Sequence, residues 1–500
     1  MASTHRRGFI QGVVGAAAAA ALTAVGKGKP QPDDAPIRGL RAWEDRRGLA
    51  LVDRRKSHDK FDSARIQAAI DDAVERGLGG VLFSSRVYEL NEPVRIPPVR
   101  GFILQGVGGT TFQRTASGVT RVAFVISGQV GDVHEDIRFE NLSFYGGMKN
   151  IDELGTRSAR GQKNGYSVST GDAEVFWHAG MLRAAISVSG DLSSYWGTDG
   201  QDAENPHGIV RNVTVENCSF RGVAGLPVFF RGVRGKALLT NSYLLRCLDP
   251  GWVYCESAQF TTNRSEYSMD NGASLSRGCL HAIATGNTIL GAWYNGIWVG
   301  GFHQDRPTKG IAIQPGPGPG RIAVTSNTIE NCGQCGIYAG DASGQVTITG
   351  NTVFKIHPTN KSSRLQGVGI LASEWADNNI PRAVTITGNT IEDTARGGII
   401  CGQSRATTVS GNTLRLIGTR TFPDGSPRKG HNGMQRVGIG YGARGTPSKS
   451  TAIVVTGNTI ADHRGPYSAT RYPIYFPEGG QQMIEGNLAV GCAHPVRTSR

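Results

Sequence analysis

A chain of 500 residues with 70 glycines and only 19% charged side chains suits tightly turned β structure and argues against a helical bundle. Its formal net charge of +13 favours anionic partners, whether nucleic acid, a membrane surface or an acidic polysaccharide. No RNA-binding signature, zinc-finger spacing or basic amphipathic helix accompanies the charge, so nucleic acid is not expected among them.

In chain order, the first predicted element is a leader over residues 1–26. The stretch HRRGFIQGVVGAAAAAALTAV places Arg6 and Arg7 directly before Gly8, Phe9 and Ile10, and an uncharged, alanine-rich run follows. Basic, apolar and small-residue regions in this order read as a signal peptide, and the paired arginines resemble a twin-arginine export signal. The run is short for crossing a bilayer, so no stable membrane span is expected. The expected location is secreted or periplasmic. Residues 27–60 read as a linker.

A helical pattern begins at Phe61. Asp62 stands where it can cap a helix whose apolar face is Ile66, Ala69, Ile70, Ala73 and Val74, and Gly77, Gly79 and Gly80 end it. The run VLFSSRVYEL starts the first sheet, so residues 61–125 are expected to hold a capping helix and the first strands. Residues 145–205 are a long excursion without the later repeat, and they hold Trp177, His178, Tyr195 and Trp196.

Residues 126–495 repeat. The hexapeptide TITGNT occurs at 347–352 and 385–390, and its Asn recurs as Asn217, Asn241, Asn263, Asn287, Asn327, Asn351, Asn389, Asn412, Asn458 and Asn487. Five of the nine steps are 22–24 residues and the others look like that unit with an insertion, which is the signature of a solenoid. Each unit holds two short β-branched runs, one with the Asn and one opening Gly-Ile, as in GIWVG, GIYAG and GIICG. Runs this short, punctuated by Gly and Asn, are strands joined by tight turns. An Asn at a fixed place in every coil can occupy a left-handed turn and hydrogen-bond the amides above and below it.

With FDSARIQAAIDDAVERGLGGVLFSSRVYELNEPVRIPPVRGFILQGVG at 61–108, these repeats resemble a right-handed parallel β-helix of the pectate lyase-like superfamily. The resemblance covers residues 55–490 or so. It implies an all-β solenoid of ~22–24 residues per coil, with the N-terminal helix covering one open end. It also implies a polysaccharide partner, anionic if the net charge is a guide.

The insertions leave from two corners. From the anchor Asn to the Gly opening the second strand the step is 9 residues at Asn287, Asn327 and Asn389, but 18 at Asn351 and 26 at Asn412. The resulting loops at 355–366, 417–436 and 463–472 are basic and carry His357, His431 and His463; a second set, chiefly 302–320, follows the Gly-Ile strand. Two such walls flank the Gly-Ile strands and frame a groove. Strand alternation points Ile297, Ile337, Ile370 and Ile399 inward. Trp298, Tyr338, Leu371, Ile400 and Tyr475 then face outward in one column, where exposed rings suit the apolar faces of sugars, unless the covering loops bury them.

Two residues before an opening Gly stand Asp249, Asp270 and Tyr294, in CLDPG, SMDNG and WYNG. Equivalent places on consecutive coils lie about 5 Å apart. Carboxylates that close raise one another's pKa, leaving one proton donor and one base, the pair that glycosidic cleavage uses. An Asp before Pro or Gly is also an ordinary turn residue. The polygalacturonase-like branch of the superfamily clusters aspartates on adjacent coils, although its Asp-Asp, Gly-His-Gly and Arg-Ile-Lys signatures are absent here.

The second candidate is HQDRPTK, with His303, Arg306 and Lys309. A lyase acting by β-elimination on a polyuronate such as pectate or alginate needs a base and a cation beside the uronate carboxylate, a place Arg, Lys or Ca²⁺ can fill. Trp293, Tyr294, Trp298, Tyr338 and His281 complete the candidate substrate-contacting set. Cys332 and Cys335 have CxxC spacing but no second pair and no nearby His pair, so the eight cysteines read as buried side chains and no metal site is expected. The expected activity is that of an exported polysaccharide-degrading enzyme of the glycoside hydrolase kind. β-Elimination, with Ca²⁺ as its one candidate cofactor, and non-catalytic glycan binding are the alternatives.

Overall fold

The computed structural model describes residues 48–52, 61–114, 122–147, 182, 184–190, 208–276, 279–300, 320–340, 344–357, 367–373, 382–402, 404–418, 437–441, 452–463, 470, 472–476, 481–494 and 496–498. The leader, most of the 145–205 excursion with its four aromatic and His residues, His431, and the 302–319 loop with His303, Arg306 and Lys309 lie outside the described residues.

Among the described residues the chain winds into three parallel sheets of 14, 13 and 13 strands, in which spatial neighbours are separated by one full coil of chain. One coil shows the pattern. Arg321–Thr325 lies in the first sheet, Thr328–Cys332 in the second and Cys335–Gly340 in the third, and Gln345–Thr349 returns to the first. Ile322 then pairs with Val346 and Val324 with Ile348, and all four side chains point into the solenoid. Period-2 alternation within each strand, repeated at one register, makes one continuous apolar core. In the early coils the core holds an aromatic column, with Phe112, Phe144 and Phe220 stacked at 5.4 and 5.2 Å between ring centroids.

The N-terminal helix spans Ser63–Glu75 and buries Ile66, Ile70 and Ala73, with Ala69 and Val74 packed beside them. Its apolar face closes the end of the core. Asp62 does not cap it through its side chain. The buried carboxylate instead takes ion pairs from Arg65 and Arg86 and accepts the Glu89 N–H at 2.8 Å, which ties the helix start to the strand Val87–Leu90. Leu49–Leu51, expected within a linker, is a strand that pairs with Gly80–Phe83, because its apolar side chains complete the first coil.

The repeated Asn builds a ladder at the corner between the first and second sheets. Asn287 Nδ2 and Asn263 Nδ2 each donate to the Oδ1 of the Asn one coil on, and every ladder N–H does the same. The run continues through Asn327, Asn351, Asn389 and Asn412 to Asn458 and Asn487. Each Nδ2 also donates to a main-chain carbonyl, as Asn287 does to Phe260 at 2.8 Å, so these buried amides are satisfied on every side. Two expectations change. The left-handed residue is the one before the ladder Asn, with φ of 64° at Gly350 and Gly388 and 56° at Ser326, which explains the Gly-Asn spelling. Asn217 and Asn241 are not rungs: they are themselves left-handed and exposed, and the register places Cys218 and Ser242 on the ladder line. Ser242 N–H donates to Asn263 Oδ1 at 2.9 Å, and Cys218 N–H to Ser242 Oγ at 3.1 Å.

Candidate active site

Asp249 and Asp270 lie at the corner between the second and third sheets. Met269 N–H donates to the Cys247 carbonyl at 3.0 Å, so Leu248 and Met269 are stacked and the aspartate after each occupies the same corner. The glycines do not correspond. In the third sheet Gly251 pairs with Ser274, not Gly272, because the later coil carries two more residues at this bend. The extra length brings Asn271 and Ser274 against the earlier aspartate. Ser274 Oγ–H donates to Asp249 Oδ2, and Asn271 Nδ2 approaches the same oxygen at 3.4 Å.

The two carboxyls differ in surroundings. Asp249 is 4% exposed, and burial pushes its pKa up to about 6 even though the Ser274 and Asn271 hydrogen bonds pull it down. Asp270 is half-buried at its surface, and its carboxyl is raised well above the usual range by burial first and by the Asp249 charge second. Of the two, Asp249 has hydrogen bonds that favour its charged form, whereas burial and the Asp249 charge both favour the protonated form of Asp270, which holds its proton the more tightly. One carboxylate to accept a proton or attack, and one carboxylic acid to donate, is the division of labour that acid–base chemistry on an acetal needs.

The next coil places Trp293 and Tyr294 beside this pair. Tyr294 N–H donates to the Asp270 carbonyl at 2.9 Å and Trp293 N–H to the Ser268 carbonyl at 3.0 Å, and both rings are half-buried. Trp298 is in register with Ser274 on the outer face of the third sheet and is also half-buried. The same corner continues along the axis through Gln334, Gly367 and Arg396, linked by main-chain bonds of 2.7, 2.6 and 2.8 Å. Asp270, Tyr294, Gln334 and Arg396 therefore share one row that spans about four coil spacings, or ~19 Å.

Other candidates lie elsewhere. The outward column has the expected register, since Trp298 pairs with Tyr338, Tyr338 with Leu371 and Leu371 with Ile400. It is not an exposed surface. Tyr338, Leu371 and Ile400 are 5%, 1% and 4% exposed and form a second apolar cluster with Cys335, Val368 and Val437. His281 is exposed and opens the strand His281–Thr285 of the first sheet, beyond the far end of the third-sheet strand that follows Asp270. His357 pairs with Asp393 at 3.0 Å. Cys332 and Cys335 are buried, and burial pushes the Cys332 thiol up to about 12. Among the described residues no cluster of His, Cys, Asp and Glu could hold a metal ion, and no helix is long and apolar enough to cross a membrane.

Sequence reasoning passed over Asn271, Ser274 and Asn295. Their signal was present: Asn-Gly occurs at 271–272 and again 24 residues later at 295–296, the spacing of the main ladder.

The model of the right-handed β-helix region matches residues 209–383 and 318–460, together just over half of the chain. A comparison with curated proteins finds no match. Among solved structures the chain is similar to the A-module of the Azotobacter vinelandii mannuronan C-5 epimerase AlgE6, at 15% identity and a TM-score of 0.53, over 86% of this chain and 95% of that one. It is also similar to the N-terminal fragment of bacteriophage Phi29 gene product 12, at 13% identity and a TM-score of 0.51, over 87% and 69%. At these identities the likeness is one of fold. The three stacked parallel sheets and the matched repeats agree, and the chain belongs to the right-handed β-helix family.

Proposed function

We propose that this protein is a polysaccharide-degrading enzyme that cleaves glycosidic bonds at the corner between the second and third sheets. Asp270 serves as the general acid and Asp249 as the base or nucleophile. The observation that carries the reading is the pair itself, two neighbouring carboxyls of which Asp249 takes the Ser274 and Asn271 hydrogen bonds while Asp270 is raised by burial and by the Asp249 charge. Asp270, whose carboxyl is raised by burial and by its neighbour's charge, can give its proton to the glycosidic oxygen as the bond breaks. Asp249, charged and backed by Ser274, can activate water or attack the anomeric carbon. Trp293, Tyr294 and Trp298 supply aromatic surface for sugar rings on either side.

A linear row from Asp270 to Arg396 suits an extended polymer, and Arg396 together with the net charge of +13 suits an anionic one. The solved structure of an enzyme named for mannuronan on this fold agrees in substrate class. Export through the twin-arginine signal at Arg6 and Arg7 would deliver the enzyme to such a substrate.

The test is incubation of the full protein with a panel from neutral glucans to pectate and alginate, following reducing ends and ultraviolet absorbance together. Reducing ends without absorbance support hydrolysis. Absorbance rising with them marks an unsaturated product, overturns the acid–base pair as the cleaving device and moves the chemistry to His303, Arg306 and Lys309. Binding of a polymer without any cleavage would make the protein a glycan-binding solenoid.

A further inference from the structure

Among the described residues, the side-chain hydrogen bonds that lead to Asp249 run in one direction. Asn295 donates from its N–H and its Nδ2 to Asn271 Oδ1, at 3.2 and 2.8 Å. Asn271 Nδ2 donates onward to Ser274 Oγ at 3.0 Å and to Asp249 Oδ2 at 3.4 Å. Ser274 Oγ–H donates to that same carboxylate oxygen. In the main ladder the polarity is opposite: Asn263 donates to Asn287, Asn287 to Asn327 and Asn327 to Asn351, each earlier coil to the later one.

The short ladder is also not part of a longer one. Above Asn295 the register brings Cys335, and Asn295 Oδ1 has no hydrogen-bond partner among the described residues. Asn271, Ser274 and Asn295 are only 4%, 5% and 8% exposed, so their donors have little water to turn to. A ladder serving only to hold coils together would continue in both directions, as the main one does. This one starts at an open carbonyl oxygen and ends on a carboxylate.

We propose that Asn295, Asn271 and Ser274 form a donor relay that holds Asp249 in its ionised form, and are positioning residues for the base of the pair. Aligned donors polarise one another, and a hydrogen bond to the charged form of an acid favours that form. The role of base rests on the glycosidase reading, whereas the relay's hold on the Asp249 proton can be read with no substrate present.

The experiment uses the full-length protein labelled with ¹³C-carboxyl aspartate. Infrared difference spectra against Asp249→Asn, taken in an Asp270→Asn background so that the coupled Asp270 band is absent, isolate the Asp249 carboxyl, and its band followed with pH gives the titration midpoint. Asn271→Leu and Ser274→Ala each remove one donor to the carboxylate and should raise the midpoint by about one pH unit. Asn295→Leu removes only the head of the relay and should raise it by roughly half a unit. A midpoint that stays put in folded Asn295→Leu and Ser274→Ala would overturn the relay, and these two carry the test where Asn271→Leu fails to fold. A purely structural role would lower the melting temperature of all three variants and leave the midpoint unmoved. A shifted midpoint in a protein whose Asp249→Asn variant cuts polysaccharide as well as wild type keeps the relay and sinks the glycosidase reading, so the two failures are told apart.

Discussion

Replacing Asp249 by Asn should make the protein more stable at neutral pH while impairing the site. The carboxyl is 4% exposed and its pKa is pushed from 3.8 up to about 6, mainly by burial. Because the folded-state pKa is raised, the folded protein holds this proton more tightly than the unfolded chain does. The stability linked to it is present below about pH 4 and is lost as pH climbs through about 6. A rise from 3.8 to about 6 corresponds to about 3 kcal/mol by pH 7, an upper figure because the side chain stays hydrogen-bonded. Asn fills the same space without a charge and can still accept from Ser274. The variant should therefore gain up to ~3 kcal/mol at pH 7 and almost nothing at pH 4. At ~2.1 cal/mol/K per residue over several hundred folded residues, this is a rise of about 3–5 °C in melting midpoint. Thermal unfolding of both proteins from pH 4 to 8 reads it directly. A variant less stable than wild type at pH 7, or offset equally at every pH, would refute the claim that Asp249 is charged at a desolvation cost. Such a trade of stability for chemistry is common at active sites.

Asn351→Ala removes the acceptor for Asn327 N–H and Nδ2, at 3.0 and 2.9 Å. Two buried donors left unpaired should cost about 3 kcal/mol in thermal or denaturant unfolding. Asn241→Gly, at an exposed position with φ 48°, should change stability by no more than about 0.5 kcal/mol, and equal losses at the two sites would contradict the ladder. Leu371→Ala, in the second apolar cluster, should lose about 2–4 kcal/mol and leave glycan affinity alone; the reverse result would return the outward column to a binding role. With its thiol buried and its pKa near 12, Cys332 should resist alkylation at pH 8 until the protein unfolds, and rapid labelling of the native protein would contradict its place in the core.

The repeat was legible because a solenoid writes its register into the chain. TITGNT recurs where a left-handed residue must precede a buried Asn, and the alternating Ile and Val of VTIT can face inward in only one way. The failures are equally local. Asn217 and Asn241 look like rungs in sequence, but in these coils the left-handed place falls on the Asn itself, so the rung shifts by one residue to Cys218 and Ser242. The outward direction of Tyr338, Leu371 and Ile400 followed from alternation, but the choice between an exposed binding column and a buried one did not, because alternation says which face a side chain takes and not what lies over that face. At the site, spacing to the opening Gly put both aspartates on one corner, although Gly251 and Gly272 are themselves out of register and the stacking of Leu248 on Met269 is what aligns the pair. The two-residue extension that carries Ser274 under Trp298 and onto Asp249 is invisible until the strands are paired.

Asp249 and Asp270 are proposed to act together on a glycosidic bond. The most direct test is the initial rate of reducing-end release, at pH 4 to 8, by wild type, Asp249→Asn and Asp270→Asn on whichever polysaccharide of the panel the wild type cuts. If the pair acts as proposed, wild type shows a bell-shaped profile and each variant loses at least about a hundredfold, with both variants still folded. Variants that cut as fast as wild type, or a wild type that cuts no glycan in the panel, would contradict it.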